Sequence, residues 1–348
     1  MSAARGASGA ASPSEPLWAR DFVVLLASNL LYFMGVYLVL PTLPIFAVSL
    51  GGGETAAGLI LGLFTFTAML VRPLTGWALD AYGRYAILLI GMALSLGTIL
   101  AHEWVAGVGL LLVLRLAHGV GFGFATTAGG TLASDLVPQR RLGEGMGYFT
   151  LAIGLPMAVA PALGLGLISG GDFTWLFIAA AGLTGVSLLL AVALRAPRRE
   201  KPVVGFSVRG LFERSALLPA SLMFLLTMTY APVLAFIALY GQERGIGNVG
   251  PFFAVFAVVL AVLRPISGRL ADQRGYLQTA LIGFVFIVAG LVALALARGL
   301  ATVLLSGALY GVGFGTSQPS LQALTVHGVG DQRRGRRRPH SSSPTTWG

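Results

Sequence analysis

The side chains most able to do chemistry are Arg115 and His118, because both interrupt a long apolar run at 105–128. Their i, i+3 spacing places them on one face of a helix. An arginine at the centre of a membrane-spanning helix costs about 2.5–3.5 kcal/mol, so it should face water or a carboxylate. The pair could therefore bind an anionic group or modulate a proton site. The alternatives are a hydrogen bond from Arg115 to backbone carbonyls and a satisfied interior position for His118.

Carboxylates are missing from the middle third of every long apolar run, and Asp21, at the start of the first run, is the nearest. A membrane-embedded titrating group would therefore be Asp21, His118 or a group that this sequence lacks. For Asp21 a purely topological role is the alternative. Other polar side chains on the runs could hydrogen-bond a largely apolar solute or serve helix packing alone: Asn29, Tyr32, Tyr37, Tyr230, Tyr240, Tyr310, Gln318 and Gln322.

The composition is that of a membrane protein. Of the 348 residues, 56% are hydrophobic and 10% are charged, whereas roughly 25% are charged in soluble domains. Cysteine is absent and the four histidines are scattered, so neither a disulfide nor a metal site is expected. No nucleophile–base grouping indicates an enzyme. The net charge of +10 lies in short loops, as topology signals do, so no nucleic-acid partner is expected.

Ten apolar runs near the ~20 residues that cross a bilayer predict an all-α polytopic membrane protein. Loops after the even-numbered runs carry most of the Arg and Lys residues, so the positive-inside rule places the amino terminus and the linker in the cytoplasm. We therefore expect a multi-pass protein of the inner (plasma) membrane, surrounded by lipid. The predicted spans are 20–44, 54–75, 85–101, 105–128, 146–168, 174–195, 215–240, 249–267, 277–297 and 300–324.

A basic linker divides the chain into two halves. Its charge could fix orientation alone or bind lipid headgroups. The expected organisation is a cytoplasmic tail at 1–19, a six-helix bundle at 20–195, the linker at 196–214, a four-helix bundle at 215–325 and a basic polar tail at 326–348.

An internal repeat relates the two halves. The stretch "RPLTGWALDAYGR" at 72–84 aligns with "RPISGRLADQRGY" at 264–276, and "HGVGFG" at 118–123 aligns with "YGVGFG" at 310–315, at a constant offset of 192 residues. The alignment continues without a gap to 335. Two related halves joined by a linker are a plan of secondary transporters, which bind solute at the interface between the repeats.

The repeated stretch resembles motif A of the major facilitator superfamily, a Gly-x-x-x-Asp-x-x-Gly-Arg pattern between helices 2 and 3. The resemblance implies a gating role, in which this loop latches the two halves together in the outward-facing state; plain turn geometry is the alternative. Asp80 could cap a helix end, and Arg84 could pair with Asp80 or a lipid headgroup. The pattern is filled by Gly76, Asp80, Gly83 and Arg84, and its second copy keeps Gly268, Asp272 and Gly275.

The stretch "RLAHGVG" approximates the fourth-helix motif of the same family, with Arg115 matching and His118 in place of Gln. The fifth-helix antiporter motif is only faintly echoed by "AVAPALGLG". Within the superfamily the chain is most similar to bacterial drug and sugar efflux proteins. The resemblance implies twelve helices in two bundles, a coupling role for Arg115, and proton-coupled efflux of a small amphipathic or sugar-like solute by alternating access. It implies no cofactor, with the proton gradient as the energy source, and a monomer; an uptake permease is the open alternative.

The repeat also predicts counterparts of residues 144–195 near 336–387, whereas the sequence ends at 348 with a polar, arginine-rich stretch. This ending predicts a reading-frame shift after 335, and a genuine basic cytoplasmic tail is the alternative. Ten of twelve expected helices would then be present. A transport-inactive fragment is therefore the second hypothesis about function.

Overall fold

The structure, a computed structural model, describes residues 17–168, 170–195 and 217–335. All regular structure in these ranges is helical, which confirms the all-α prediction. The helices are α1 (Arg20–Val39), α2 (Leu43–Ser49), α3 (Glu54–Tyr82), α4 (Arg84–Ala101), α5 (Val108–Leu136), α6 (Leu142–Leu167), α7 (Thr174–Val192), α8 (Leu217–Glu243), α9 (Pro251–Arg274), α10 (Tyr276–Ala295) and α11 (Leu300–Gly335). Within the described ranges, nine spans are long and apolar enough to cross a membrane, and α9 contributes a shorter apolar part at Pro251–Leu263.

The first predicted span, 20–44, is divided into α1 and α2. Pro41 lies at the break, where it lacks a backbone N–H and crowds the preceding turn. The hydroxyl of Thr42 donates to the carbonyl oxygens of Leu38 and Val39 at 3.2 and 3.0 Å. These bonds satisfy carbonyls at the end of α1, so the break leaves few buried polar groups unpaired.

Several helices run beyond the predicted ends into their polar flanks. The predictions stopped at the last apolar residue, but backbone hydrogen bonding continues until a glycine allows a turn: Gly83 ends α3 at φ +91° and Gly275 ends α9 at φ +86°. α11 likewise passes the predicted bundle end at 325 and reaches Gly335. Residues 1–16, 196–216 and 336–348, which include most of the predicted tails and the linker, lie outside the described residues.

The predicted repeat is visible in the packing. In the first half α5 packs against α3 and α4, and in the second half its counterpart α11 packs against α9 and α10. We call the side on which α1 begins and α7 ends the linker side, and the opposite side the far side. Successive long helices alternate between these two sides.

The two halves differ in what covers their first helices. α1 packs against α6 and α7 and buries Tyr32, Phe33 and Val36, which are 1%, 4% and 0% exposed. The repeat-equivalent positions on α8 are exposed: Phe224 at 61%, Leu225 at 51% and Met228 at 55%. α8 therefore presents an exposed apolar face, whereas the equivalent face of α1 is covered by α6 and α7.

Glycines bring α4 and α5 into close contact. A Cβ atom added at Gly91 would meet the carbonyl oxygen of Gly121 at 2.7 Å, and one added at Gly121 would meet that of Gly91 at 2.8 Å. Gly97 lies on the same helix, but a Cβ atom there would meet nothing within 4 Å.

We expect Gly91→Leu to reduce the free energy of unfolding by about 1–3 kcal/mol, because the larger side chain must separate α4 from α5. Chemical denaturation in mixed micelles measures the change. Gly97→Leu is the matched control on the open face of α4 and should change stability little. Equal losses for both variants would show that the close approach is not what matters.

Candidate functional site

Arg115 and His118 lie on α5, seven and ten residues after it begins at Val108. At a rise of 1.5 Å per residue, Arg115 is about 10 Å from the start of α5, which lies on the far side. The helix begins three residues later than the predicted start at 105 and ends at Leu136, so its middle is near Phe122 and the prediction that Arg115 lies near the middle is wrong. Both side chains therefore lie in the far-side half of the first bundle.

The two side chains contact each other, as their spacing predicted. Nη2 of Arg115 donates to Nδ1 of His118 at 2.5 Å, and both residues are 0% exposed. A guanidinium has only donors, so Nδ1 of His118 must carry a lone pair and the imidazole is neutral. The ring of Phe64 on α3 covers the pair, with its centroid 4.8 Å from the guanidinium carbon and 5.2 Å from the His118 ring.

Several nitrogen atoms of the pair have no hydrogen-bond partner among the described residues. They are Nε and Nη1 of Arg115 and Nε2 of His118, and all three are buried. No carboxylate in that part of the chain forms an ion pair with Arg115. Among the described residues Arg115 hydrogen-bonds to His118 and not to a backbone carbonyl, so the alternative of a bond to backbone carbonyls is wrong in this conformation.

Asp21 lies away from this pair. It occupies the first turn of α1 on the linker side, where it accepts from Nη1 of Arg20 at 3.2 Å and from the backbone N–H of Arg195 at 3.3 Å. Nη1 of Arg20 also contacts the carbonyl oxygen of Ala193. These contacts join the start of α1 to the end of α7.

Motif A forms the end of α3 and a tight turn. Asp80 is on the last turn of α3, is exposed, and makes no hydrogen bond or ion pair with any described residue. The expectation that it caps a helix is therefore wrong in this conformation. Gly76 is also exposed, and Gly83 supplies the positive φ of the turn.

Arg84 forms an ion pair with Asp135 at the linker-side end of α5, with side chains 30% and 14% exposed. The partners expected for Arg84 from the sequence were Asp80 and a lipid headgroup, and Asp135 was not among them. The repeat-equivalent positions of the pair are Tyr276 and His327, so no acid–base pair recurs there in the second half. In the second copy of the motif Gly275 forms the same turn with a positive φ. Gly268 lies in the helical backbone of α9, and the Asp272 side chain lies outside the described part of the chain.

The predicted cavity residues divide into two groups. Tyr37 and Tyr230 lie near each other between the halves, and the hydroxyl of Tyr230 donates across the interface to the carbonyl oxygen of Met157 at 3.2 Å. Gln318 on α11 is half-buried. The Gln322 side chain lies outside the described part of the chain.

The remaining predicted residues face the interior of one bundle. Tyr32 shares a hydrogen bond of 2.8 Å with Ser95 on α4. Asn29 is 4% exposed, and its Nδ2 has no partner among the described residues. Tyr310 and Tyr240 bond to Thr229 and to the carbonyl oxygen of Leu294, respectively.

The halves meet mainly on the far side. α6 contacts α9, and α8 contacts α2 and α3. Gly250 at the far-side start of α9 lies beside Leu165 near the end of α6. An apolar crevice of about 380 Å³ separates α3 from α8 and is lined by residues that include Gly58, Phe66 and Phe236.

Two repeated helical bundles that meet at a seam, with polar groups near the seam and a buried charge in one bundle, are typical of a membrane transporter. The comparisons with known proteins agree. The family pattern described as Major Facilitator Superfamily matches residues 25–337, and the chain belongs to that family.

Two curated relatives cover most of the chain. An uncharacterised MFS-type transporter of Methanocaldococcus jannaschii is 25% identical over 328 residues, which are 91% of this chain and 85% of the relative. The class G tetracycline resistance protein of Vibrio anguillarum is 29% identical over 326 residues, which are 87% of this chain and 80% of the relative. Among solved structures, the nucleoside transporter NupG (D323A mutant) superposes with a TM-score of 0.71 at 13% identity, covering 89% of this chain and 86% of NupG. This likeness supports the fold, and the chain is a membrane transporter rather than an enzyme.

We expect Asp135→Asn to lower the free energy of unfolding by about 1–3 kcal/mol, because the charge of half-buried Arg84 loses its partner. Chemical denaturation measures the change, and the exchange variant Arg84→Asp with Asp135→Arg should recover part of it. Glu144→Gln is the control, since it breaks an exposed pair with Arg141 whose side chains are each 44% exposed. A loss no larger for Asp135→Asn than for this control would contradict the assignment.

Proposed function

We propose that the chain exports a small amphipathic or sugar-like solute by alternating access and that protons moving inward supply the energy. The observation that carries this proposal is the buried Arg115–His118 pair. The name of the relative in Vibrio anguillarum, a tetracycline resistance protein, supports efflux of an amphipathic drug-like solute. Basic residues in the linker-side loops support a cytoplasmic linker side, a cytoplasmic amino terminus and a plasma-membrane location.

The main contacts between the halves lie on the far side, so this conformation corresponds to the inward-facing state if the linker side is cytoplasmic. A solute would then enter from the cytoplasm and reach Tyr37, Tyr230 and Gln318 at the seam. These side chains offer hydroxyl and amide groups beside aromatic rings, which suits a solute with both apolar and polar parts. Motif A would gate this movement, with the Arg84–Asp135 pair fixing the linker-side ends of α4 and α5.

Protonation of His118 offers a physical route to coupling. The lone pair on Nδ1 accepts a hydrogen bond from Arg115, so a proton can bind Nδ1 only after this bond breaks. The resulting imidazolium would repel the guanidinium at short range in a region of low dielectric constant. The two side chains would separate, and Phe64, which packs on both, would transmit the movement from α5 to α3.

The second half shows that the fold does not require this pair. The repeat-equivalent residues of Arg115 and His118 are Gly307 and Tyr310. The ring centroids of Tyr310 and Phe256, the counterpart of Phe64, are 5.9 Å apart. The second half therefore has the equivalent ring contact, but between two uncharged side chains. A buried cation that one half carries and the other omits is therefore better explained by function than by packing.

We expect His118→Gln to uncouple transport. The glutamine side-chain oxygen can still accept from Arg115 but cannot titrate near neutral pH, so solute binding should persist while solute-driven proton movement is lost. Arg115→Gln should abolish the same signal. Proteoliposomes with an internal pH dye and tetracycline as the first probe of a solute panel measure it.

Arg244→Gln is the control for these variants, because Arg244 is exposed and stacks on Tyr240 outside the buried pair. It should transport like the unmodified chain. Unchanged coupling in His118→Gln would refute the proposed proton site. Accumulation of solute down the proton gradient would favour an uptake symporter, and absence of flux for the whole panel would favour the hypothesis of a transport-inactive chain.

A further inference from the structure

A second histidine lies beside the Arg115–His118 pair. His102 follows α4 on the far side and is 1% exposed. It is close enough to both Arg115 and His118 for their charges to interact. Its Nδ1 donates to the carbonyl oxygen of Thr98 at 2.5 Å, and its buried Nε2 has no hydrogen-bond partner among the described residues. Three buried side chains that can carry positive charge therefore lie within electrostatic range of one another.

The negative charges of the surrounding helices lie elsewhere. The helices packed against α5 are α1, α3, α4 and α6. Near the cluster they contribute Tyr32 and Ser95, which bond to each other, and the ring of Phe64. Their acidic residues lie at helix ends: Asp21, Glu54, Asp80 and Glu144. Glu103, next to His102 in the chain, is exposed and accepts from the hydroxyl of Thr174.

We infer that Arg115, His118 and His102 form a binding site for a small monovalent anion, either a free halide-like ion or a carboxylate borne by a solute. The site does not depend on the proposed direction of transport or on its energy source. A buried guanidinium without a carboxylate partner is unfavourable unless a counter-charge is supplied. An anion would occupy the donors left by the protein, which are Nε and Nη1 of Arg115 and Nε2 of His118.

The comparison of the halves supports a ligand rather than a structural explanation. The counterparts of Arg115, His118 and His102 are Gly307, Tyr310 and Leu294, so the second half packs the same helices without a cationic group at these positions. At Gly307 the backbone of α9 occupies the space that a side chain would need, because a Cβ atom added there would meet the carbonyl oxygen of Phe252 at 2.8 Å.

Phe64 covers part of the site in this conformation. Its ring lies over the guanidinium and is 5% exposed, so it covers one face of Arg115. His102 is the member of the cluster next to the far surface, because it is followed in the chain by the exposed residues Glu103 and Trp104. The far side is therefore the shorter route to the site.

Anion binding and protonation of the histidines should strengthen each other. A bound anion offsets the repulsion between an imidazolium and the guanidinium, so protonated His118 or His102 is favoured when the site is occupied. By linkage, a lower pH should then tighten anion binding by the same factor.

Equilibrium dialysis of the full chain in detergent, with radiolabelled chloride as the probe, tests this site. We expect saturable binding that nitrate and acetate displace more readily than the larger anion gluconate. Binding should tighten by about fivefold or more as the pH is lowered, because each histidine that gains a proton adds a positive charge to the site. Arg115→Gln should remove the saturable component, whereas the exposed control Arg244→Gln should keep it.

The outcomes separate the two sources of the anion. Chloride binding displaced by acetate supports a free-ion site; no chloride binding, with saturable binding of radiolabelled benzoate that Arg115→Gln removes, supports a solute carboxylate. Saturable binding of neither probe overturns the inference, as does equal binding by Arg115→Gln. If that variant fails to fold, the pH dependence in the unmodified chain and its reduction in His102→Phe decide the question. A chain that binds chloride but moves no solute would refute the proposed function alone.

Discussion

A guanidinium buried without a carboxylate partner among the described residues is the constraint on which the first half depends. Arg115 is surrounded by what partly compensates its charge: the lone pair of His118 and the ring face of Phe64. This arrangement requires α3 and α5 to be close, and Gly119 permits it, because a Cβ atom there would meet the backbone of Phe64. The glycines of α5 therefore serve the site as well as the packing.

The repeat makes this chemistry asymmetric. Both halves build a central helix that packs between two others, but Arg115 and His118 of the first half are replaced by Gly307 and Tyr310 at the equivalent positions of the second. In the second half the aromatic residues Phe256, Tyr310 and Phe314 fill the equivalent volume with mutual ring contacts near 6 Å. At these equivalent positions the first half thus carries titratable groups, whereas the second half packs aromatic rings.

The structure also separates the interactions that bind one half together from those that join the halves. The Arg84–Asp135 ion pair and the Tyr32–Ser95 hydrogen bond lie within the first bundle. Fewer residues contact each other across the seam. One of these contacts is the hydrogen bond that the Tyr230 hydroxyl donates to the carbonyl oxygen of Met157 on α6. An interface with few specific bonds can open at low cost, whereas bundles with internal ion pairs move as rigid bodies.

The sequence by itself determined the helical membrane class, the two halves and the shared face of Arg115 and His118, because periodicity and a constant repeat offset are local properties of the chain. Only the tertiary structure decided that Asp135 pairs with Arg84, that His102 lies near the buried pair, and that Asp80 makes no capping hydrogen bond to the described helices. Such pairings depend on the axial register and rotation of helices that are distant in sequence, and hydrophobic pattern fixes neither.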